Sequence, residues 1–203
     1  MTNPTQLQRG QTYHIYARGQ DGGDIFFEER TYTHFLQLYA KCVEPVADTY
    51  AYCLLPDHLH FLVRVKTEEE TPEISGNPRV PKDLHPSHLF SILFNAYTKS
   101  INKAFERTGD LFQKPFGRVL VRSDVHFVHL ISYIHQSPEK HGLVEDYRDW
   151  THSSYHALLS EEPTQLKRQE VLAWFDGPTA FQQFHQQPAI EALIADLVPH
   201  DFS

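Results

Sequence analysis

The chain has 203 residues, of which 40% are hydrophobic and 22% are charged, which is typical of a folded globular protein and not of a disordered or fibrous one. Its formal net charge of −8 argues against a protein that coats duplex DNA without sequence preference. No stretch approaches the ~20 apolar residues of a membrane span, no signal peptide is recognisable, and Cys42 and Cys53 lack a redox or metal-binding spacing. We therefore expect a reduced, cytoplasmic protein without a membrane partner.

The first third of the chain predicts a mixed unit of strands and one helix. Thr12 to Arg18 alternates as a strand, and Glu28 to Val43 carries apolar residues at helical spacing. Two further strands are predicted at Ala47 to Leu55 and His58 to Lys66, joined by a Pro-Asp turn. The order strand, helix, strand, strand is that of a ferredoxin-like α+β unit with an antiparallel sheet.

A pair of histidines opens the third predicted strand. Because successive strand residues point to opposite faces, His58 and His60 project from the same face while Leu59 points to the other. Two neighbouring imidazoles on a rigid strand can supply half of a divalent-metal site. In a chain with 14 histidines such a pair is not distinctive, so the prediction needs a partner elsewhere in the sequence.

The middle of the chain combines an acidic insertion with a basic segment. Residues 67–86 contain three consecutive glutamates and several prolines, which predict a flexible acidic loop. His88 to Phe105 is predicted as a second long helix with one buried face. Candidate nucleic-acid contacts follow on this helix and after it: Lys99, Lys103, Phe112, Gln113, Lys114, Arg118 and Arg122.

Local positive charge within an acidic chain favours a narrow groove for single-stranded nucleic acid, in which a few Lys and Arg side chains track the phosphates. Phe112, Phe116 and Trp150 could supply stacking faces for bases. Burial in the core is the alternative for all three aromatic residues, and the preferred one for Phe116.

A third helix is predicted from about Ser123 to Pro138, beginning at a good N-cap and ending at proline. Tyr133 lies beside its apolar stripe, with His129 one turn before it and Gln136 and Ser137 three and four positions after it. This helix offers a phenol flanked by candidate metal ligands. A buried tyrosine with a satisfied hydroxyl is the alternative interpretation.

Five separated blocks of the sequence resemble one family. The blocks are Tyr13–Gly19, Pro56–His60, Leu111–Phe116, Tyr133–Val144 and Trp150–Tyr155. The second resembles the His-hydrophobic-His motif of HUH-type single-tyrosine transposases. The fourth is similar to the Tyr-Ile-His-x-Asn-Pro-x-x-x-Gly-Leu-Val block of their REP-associated branch. The blocks follow the family's order and spacing over roughly residues 10 to 160.

The resemblance implies a fold and an activity. The fold is the HUH endonuclease fold over residues 1–160, an α+β ferredoxin-like antiparallel sheet with helices on one face, followed by a helical extension over 161–203. The activity is DNA transposition by metal-dependent cleavage and transfer of single-stranded, hairpin-forming DNA. Tyr133 would be the nucleophile, and His58 and His60 would hold Mg²⁺ or Mn²⁺. One nucleophile per site also implies a homodimer for handling two DNA ends.

The chain departs from the family's pattern at the third metal ligand. Relatives supply Gln or Asn four residues after the tyrosine, whereas this chain has Ser137, a poorer ligand for Mg²⁺. Gln136, or Ser137 directly or through water, is the expected auxiliary ligand, and His129 could contribute instead. The departure and the acidic charge leave a second function open, namely a domesticated member that binds hairpin or single-stranded DNA without cutting it.

Within the extension, helical patterns are predicted at Thr164 to Phe175, Pro178 to Gln187 and Ala189 to Leu197. The sequence leaves three roles open for this segment: packing on the core, oligomerisation, or positioning of the substrate DNA.

Overall fold

The computed structural model describes residues 6–71 and 85–198. Its strands are β1 (Thr12–Arg18), β2 (Ala47–Leu54), β3 (His58–Val65) and β4 (Gly117–Leu120). They form one sheet in the order β2-β3-β1-β4, and each neighbouring pair is antiparallel. Helix α1 (Glu29–Cys42) connects β1 to β2, and α2 (Pro86–Ala104) lies between β3 and β4. This is the ferredoxin-like order, so the predicted α+β fold class is confirmed.

Helices α1 and α2 cover one face of the sheet. The odd-numbered residues of β1 and β3, among them Ile15 and Phe61, point to this face and are fully buried. They pack against the apolar stripes of the two helices, where Phe35 and Tyr97 meet edge to face at 5.1 Å between ring centroids. On this face the predicted elements and the predicted placement of the helices both hold.

The opposite face is covered by α3 (Asp124–Lys140) and by the C-terminal extension. Here Cys53 and Leu62 of the sheet pack with Ile131 of α3 and with Phe181 of the extension. The expectation of helices on one face therefore needs correction for α3 and the extension. The physical reason is that this second face is also apolar in the centre of the sheet and must be shielded from water.

Helix α4 (Tyr155–Leu159) comes just before the extension, which contains α5 (Arg168–Trp174) and α6 (Pro178–His185). The helical patterns predicted around α5 and α6 are confirmed, with α5 beginning four residues later than predicted. The pattern predicted at 189–197 is wrong, because this segment forms a single 3₁₀ turn at Glu191–Leu193. Even so, Leu197 is buried in the same cluster as α3, which fixes the end of the described chain against the sheet.

The end of α3 differs from the prediction in a way that affects the site. The helix continues past Pro138 to Lys140. A proline at this position removes only one backbone hydrogen bond, and near the end of a helix this loss is too small to stop it. Gly142, with φ of 68°, then closes the helix. The Leu143 N–H donates to the Pro138 carbonyl and the Gly142 N–H to the Glu139 carbonyl, both at 2.9 Å, which is a Schellman ending.

Most of the predicted acidic loop at 67–86 lies outside the described residues, which resume at residue 85. At its described start, the Glu70 carboxylate accepts hydrogen bonds from Arg64 (2.9 Å) and from the Thr67 N–H (2.8 Å). Among the described helices, none has the length and apolarity needed to cross a membrane.

Candidate active site

The predicted histidine pair and the predicted tyrosine come together on the α3 face. The ring centroids of His58 and His60 are 5.1 Å apart and the rings are nearly perpendicular. The Tyr133 ring meets the His60 ring edge to face, with 5.8 Å between centroids. All three side chains are buried, and Tyr133 is 1% exposed. Two elements that are 73 residues apart in sequence therefore converge at one point within a single chain.

The turn before β3 fixes the orientation of His58. The Nδ1 of His58 lies 2.7 Å from Oδ1 of Asp57, so Nδ1–H donates to this carboxylate. The hydrogen bond from His58 is the main reason that the pKa of Asp57 lies below its usual value. Arg18 adds a positive charge on the other side of this carboxylate, with its Nη2 3.6 Å from Asp57 Oδ2. A carboxylate behind a histidine in this way fixes the ring and leaves Nε2 as the lone-pair nitrogen.

His60 is held by a second histidine, His14 of β1. Nδ1 of His60 is 3.0 Å from Nε2 of His14, and Nδ1 of His14 is 2.7 Å from the carbonyl oxygen of Leu197. Burial lowers the pKa of His14 to about 4 and the pKa of His60 well below its ordinary value, so both rings are neutral at pH 7. In the sequence, His14 lies in the Tyr13–Gly19 family block, and no role was predicted for it. Its signal was its even position on β1, which puts it on the histidine face.

Two residues at the end of α3 also reach this site. The His141 ring lies 4.7 Å from the His58 ring, and the Lys140 Nζ lies 4.9 Å from the centroid of the Tyr133 ring. After burial and His58, the lysine charge further lowers the pKa of His141, which falls to about 4. Sequence reasoning missed both residues because it ended the helix at Pro138. The available signal was Gly142-Leu143, a typical helix ending.

Tyr16 of β1 brings a second phenol close to the pair. It is the cross-strand partner of His60, and its ring lies 5.3 Å from the His14 ring. The same ring covers Gly117 of edge strand β4, where an added Cβ would come within 1.9 Å of it. Glycine at 117 is therefore what allows Tyr16 to lie flat over the sheet beside the histidines.

The predicted auxiliary ligands are not confirmed. Both amide atoms of Gln136 are used by the extension: Nε2 donates to the carbonyls of residues 185 and 187 (both 2.8 Å), and Oε1 accepts from the N–H of residue 189 (2.9 Å). The helix position of Gln136 thus turns its amide toward the extension, these hydrogen bonds would have to break for it to bind a metal ion, and its role as a ligand stays a prediction. Ser137 donates to the Tyr133 carbonyl (2.8 Å) inside the helix, and the His129 ring packs on Phe184 (5.2 Å).

A second buried histidine pair ties α3 to the extension and to β2. His185 Nδ1–H donates to the Phe181 carbonyl (2.8 Å), and His185 Nε2 accepts from His135 Nδ1–H (2.8 Å). His135 Nε2 in turn accepts from the Ser154 hydroxyl (2.7 Å), which itself accepts from the Tyr52 N–H (2.8 Å). Burial lowers the pKa of His185 to about 4. Each polar side-chain atom in this series of hydrogen bonds has a partner. The series therefore holds α3, the helix that carries Tyr133, in one position.

The donor set fits a divalent ion in part. Imidazole nitrogens are suitable ligands for such ions, and His58 and His60 bring two imidazoles together on one rigid strand. Among the side chains of residues 6–71 and 85–198, however, no group of three or more His, Cys, Asp or Glu residues is arranged as a metal site. An ion at the pair would therefore complete its coordination with substrate oxygen atoms and water.

Tyr133 also forms part of the wall of a cleft of about 490 Å³ between α3 and the extension. Acidic and basic side chains line this cleft together, among them Glu139, Lys140, Glu145 and Arg148. The cleft gives the tyrosine a route to solvent although its ring is almost fully covered.

A larger cleft, of about 1010 Å³, lies between α2 and the segment that leads into β4. It contains four of the seven predicted nucleic-acid contacts: Phe112, Gln113, Lys114 and Arg118. Arg118 pairs with Ile15 in the sheet and so points to the α2 face, opposite the histidines. Its guanidinium lies 3.8 Å from the centroid of the Phe116 ring, which leaves a flat cationic surface at the cleft wall.

The remaining predicted contacts are distributed differently. Lys99, Lys103 and Arg122 are exposed and lie outside the lining of the large cleft. Phe112 is 4% exposed and packs on Phe94, so its ring does not offer a stacking face to a base. Phe116 is buried, in agreement with the preferred interpretation of the sequence. Trp150 is half-buried, and its Nε1–H donates to the Leu54 carbonyl (3.0 Å).

Comparisons with known proteins agree with the sequence resemblance. No family model matches the chain. A Haemophilus influenzae protein that carries the name of a REP-associated tyrosine transposase is 29% identical over 167 residues, which is 72% of this chain and 88% of that protein. A solved structure described as a REP-associated tyrosine transposase bound to a REP hairpin matches with a TM-score of 0.57 and 17% identity, over 80% of this chain and 88% of that one. The resemblance to this family is thereby confirmed, and the fold is shared.

Proposed function

We propose that this chain, a relative of the REP-associated tyrosine transposases, cleaves and transfers single-stranded DNA through a covalent phosphotyrosine intermediate. The solved structure that shares its fold is described as bound to a REP hairpin, and we extend hairpin binding to this chain. Tyr133 is the proposed nucleophile, and His58 and His60 are the proposed metal-binding pair.

The observation that carries the proposal is the contact between Tyr133 of α3 and His60 of β3, with 5.8 Å between their ring centroids. Phosphodiesters repel nucleophiles, so cleavage requires positive charge at the phosphate and an attacking group held close by. The site brings together the Tyr133 phenol, the His58 and His60 imidazoles and the ammonium of the exposed Lys140. A merely structural tyrosine would not require this combination.

The proposed reaction is a balanced transesterification. The Tyr133 oxygen forms a bond to phosphorus, the bond between phosphorus and the 3′ oxygen breaks, and the phenolic proton is lost while the leaving oxygen gains one. The products are a 5′-phosphotyrosine link and a free 3′-hydroxyl. Because the link retains the energy of the phosphodiester, a second 3′-hydroxyl can attack it and rejoin the strands without a nucleotide cofactor.

The residues around the tyrosine have separate roles in this scheme. His58, oriented by Asp57, and His60, oriented by His14, would hold the ion. When bound, Mg²⁺ or Mn²⁺ would supply positive charge at a non-bridging phosphate oxygen. Lys140 places a further cation beside the Tyr133 ring and would favour the phenolate that attacks.

We propose that the large cleft binds the folded part of the DNA. Lys114 and Arg118 bring positive charge to it, and Gln113 offers an amide to base edges. The cleft and the tyrosine lie on opposite faces of the sheet. The DNA would therefore pass from one face to the other, with the hairpin on the α2 side and the cleaved strand on the α3 side.

One chain brings both the histidines and the tyrosine to the site, so a partner subunit is not needed to complete it. We retain the predicted homodimer as a proposal with a different purpose, since two sites could hold two DNA ends for joining. A mixture of Tyr133→Phe protein and His58→Ala/His60→Ala protein tests whether the site is complete within one subunit. It should form no covalent product, whereas restored product would mean that the site is shared between subunits.

The experiment that tests the proposed function uses a labelled single-stranded hairpin with flanking sequence and Mn²⁺ or Mg²⁺. Wild-type protein should give a covalent protein–DNA band that resists denaturation, and Tyr133→Phe should give none while it still shifts the hairpin in a native gel. A band of equal intensity from Tyr133→Phe would remove Tyr133 from the mechanism.

Metal binding is tested separately by titrating Mn²⁺ into the DNA-free protein in a calorimeter. His58→Ala/His60→Ala should lose at least about 100-fold in affinity, because two ligands are removed. His88→Ala/His126→Ala is the matched control, since it removes two histidines that lie outside the site. Unchanged affinity in the first variant would contradict the ligand assignment.

A second candidate function, hairpin binding without cleavage, is favoured by two observations. Tyr133 is 1% exposed, and the Gln136 amide is hydrogen-bonded to the extension instead of facing the histidine pair. In this case the wild-type protein would shift the hairpin in a native gel and give no covalent band with either ion.

A further inference from the structure

The described end of the C-terminal extension reaches the histidine pair through one intermediate residue. Nδ1 of the His14 ring is 2.7 Å from the Leu197 carbonyl, and its Nε2 is 3.0 Å from Nδ1 of His60. Both rings are 0% exposed, and they are nearly parallel, with centroids 5.1 Å apart. Three elements that are remote in sequence, namely β1, β3 and the extension, are linked here by two consecutive hydrogen bonds.

The direction of these hydrogen bonds follows from elementary chemistry. A carbonyl oxygen can only accept, so the proton of the His14 ring is on Nδ1. A neutral imidazole has one N–H, and full burial favours the neutral ring, so Nε2 of His14 is the acceptor. The hydrogen bond to His60 must then be donated by Nδ1–H of His60, and the lone pair of His60 is on Nε2.

We propose that His14 is a positioning residue that, together with the Leu197 carbonyl, fixes His60 in the tautomer with its Nε2 lone pair available as a ligand. This proposal rests on the proposed function, because it assigns a purpose to His60 as a ligand. It also gives the extension a role that its sequence does not reveal: it sets the protonation pattern of a residue on the central sheet. Asp57 does the same for His58, so both ligands present the same nitrogen.

Two substitutions separate the two hydrogen bonds of His14. In His14→Asn the side-chain amide lies where Nδ1 was, so it can still donate to Leu197 but cannot accept from His60. In His14→Gln the amide reaches the position of Nε2, so its oxygen can accept from His60 while the contact with Leu197 is lost. The two amides are of similar polarity, which makes each variant the control for the other.

The test measures the ring nitrogens of His60 by ¹⁵N NMR in the metal-free protein, and Mn²⁺ affinity by calorimetry. Wild-type His60 should carry its proton on Nδ1 and show coupling across the hydrogen bond to His14 Nε2. His14→Asn should give a mixture of His60 tautomers and lower the Mn²⁺ affinity by about 10-fold or more, whereas His14→Gln should retain both wild-type properties more closely.

A proton on Nε2 of His60 in the wild-type protein would overturn the proposal, whether or not either variant folds. So would wild-type His60 spectra and Mn²⁺ affinity in a folded His14→Asn protein. The spectrum is measured without DNA, so it is independent of cleavage. If the wild-type protein forms no covalent band but shows the predicted tautomer, the proposed function fails while the hydrogen-bond arrangement stands.

Discussion

The two faces of the sheet are covered by different kinds of side chain. On the α1 and α2 face the buried surface consists mainly of aromatic and aliphatic side chains, such as Phe35, Phe61 and Tyr97. On the α3 face lie all the buried histidines in the described part of the chain: His14, His58, His60, His135 and His185. The same strands contribute to both faces through their alternate residues.

The difference shows how the fold separates stability from chemistry. Apolar packing on the α2 side gains free energy from burial without any requirement for direction. The buried polar groups on the α3 side gain little net stability and are costly if one partner is missing, so each must be held in one orientation. The extension supplies much of this restraint through the carbonyls of Phe181 and Leu197 and through its contacts with Gln136.

Removing a buried ring from the apolar side of the sheet should destabilise the protein most. Phe35→Ala removes a fully buried ring and should lower the free energy of unfolding by about 3–5 kcal/mol, measured by urea denaturation. The Mn²⁺ affinity of the folded fraction should not change, because Phe35 lies on the other side of the sheet. Phe27→Ala, at a ring that is 38% exposed, is the control and should cost under about 1 kcal/mol. A large loss of metal affinity in folded Phe35→Ala would mean that the two faces are not independent.

The second prediction concerns acid and the histidine side. His185 has a pKa of about 4 in the folded protein and about 6.5 when unfolded, so between these values the unfolded chain binds more protons and the folded state is destabilised. Stability from this group is full above pH 6.5 and is lost as the pH falls toward 4, with about 2 kcal/mol lost between pH 7 and pH 5. Urea denaturation at these two pH values measures it.

His135→Leu/His185→Leu should remove at least that part of the pH dependence, because it replaces the buried pair with apolar side chains. Phe35→Ala is the matched comparison, since it should lower stability by the same amount at pH 7 and at pH 5. An unchanged pH dependence in the leucine variant would show that the His135–His185 pair does not carry the acid sensitivity.

The smallest of the three effects separates the basic residues of the large cleft from those on the exposed side of α2. Lys114→Ala/Arg118→Ala should weaken hairpin binding by about 10-fold and reduce the slope of log K against log salt by about 1.8, because two phosphate contacts with the folded part of the DNA are lost. Lys99→Ala/Lys103→Ala should change both quantities less, since these lysines lie outside the cleft lining. Fluorescence anisotropy at several salt concentrations provides both values, and the reverse ranking would place the DNA elsewhere.

Much of the fold could be predicted from periodicity. The alternation of β1 and β3 and the helical stripe of α1 gave elements that agree with the structure within one or two residues. The convergence of His58, His60 and Tyr133 was accessible because short motifs and their order pointed to a family with that arrangement. Patterns of this kind depend on local spacing, which the sequence displays directly.

The supporting residues could not be predicted because their partners are remote. His14 gains its role from a carbonyl 183 positions later, and backbone carbonyls leave no trace in a residue pattern. Gln136 looked like a ligand by spacing, but its helix position turns its amide to residues 185–189. Lys140 and His141 lie in a family block but have no predicted role, because the helix was predicted to end at Pro138, although the Gly142-Leu143 ending indicates a longer helix.

In the proposed mechanism, one phenol and one imidazole pair act on the same phosphate. The most direct test digests the covalent protein–DNA product with trypsin and locates the DNA-bearing residue by mass spectrometry. We predict that the phosphate is attached to Tyr133, and that His58→Ala/His60→Ala gives no such peptide in the presence of Mn²⁺. Attachment to another tyrosine, such as the neighbouring Tyr16, or undiminished attachment in the histidine variant, would contradict the account.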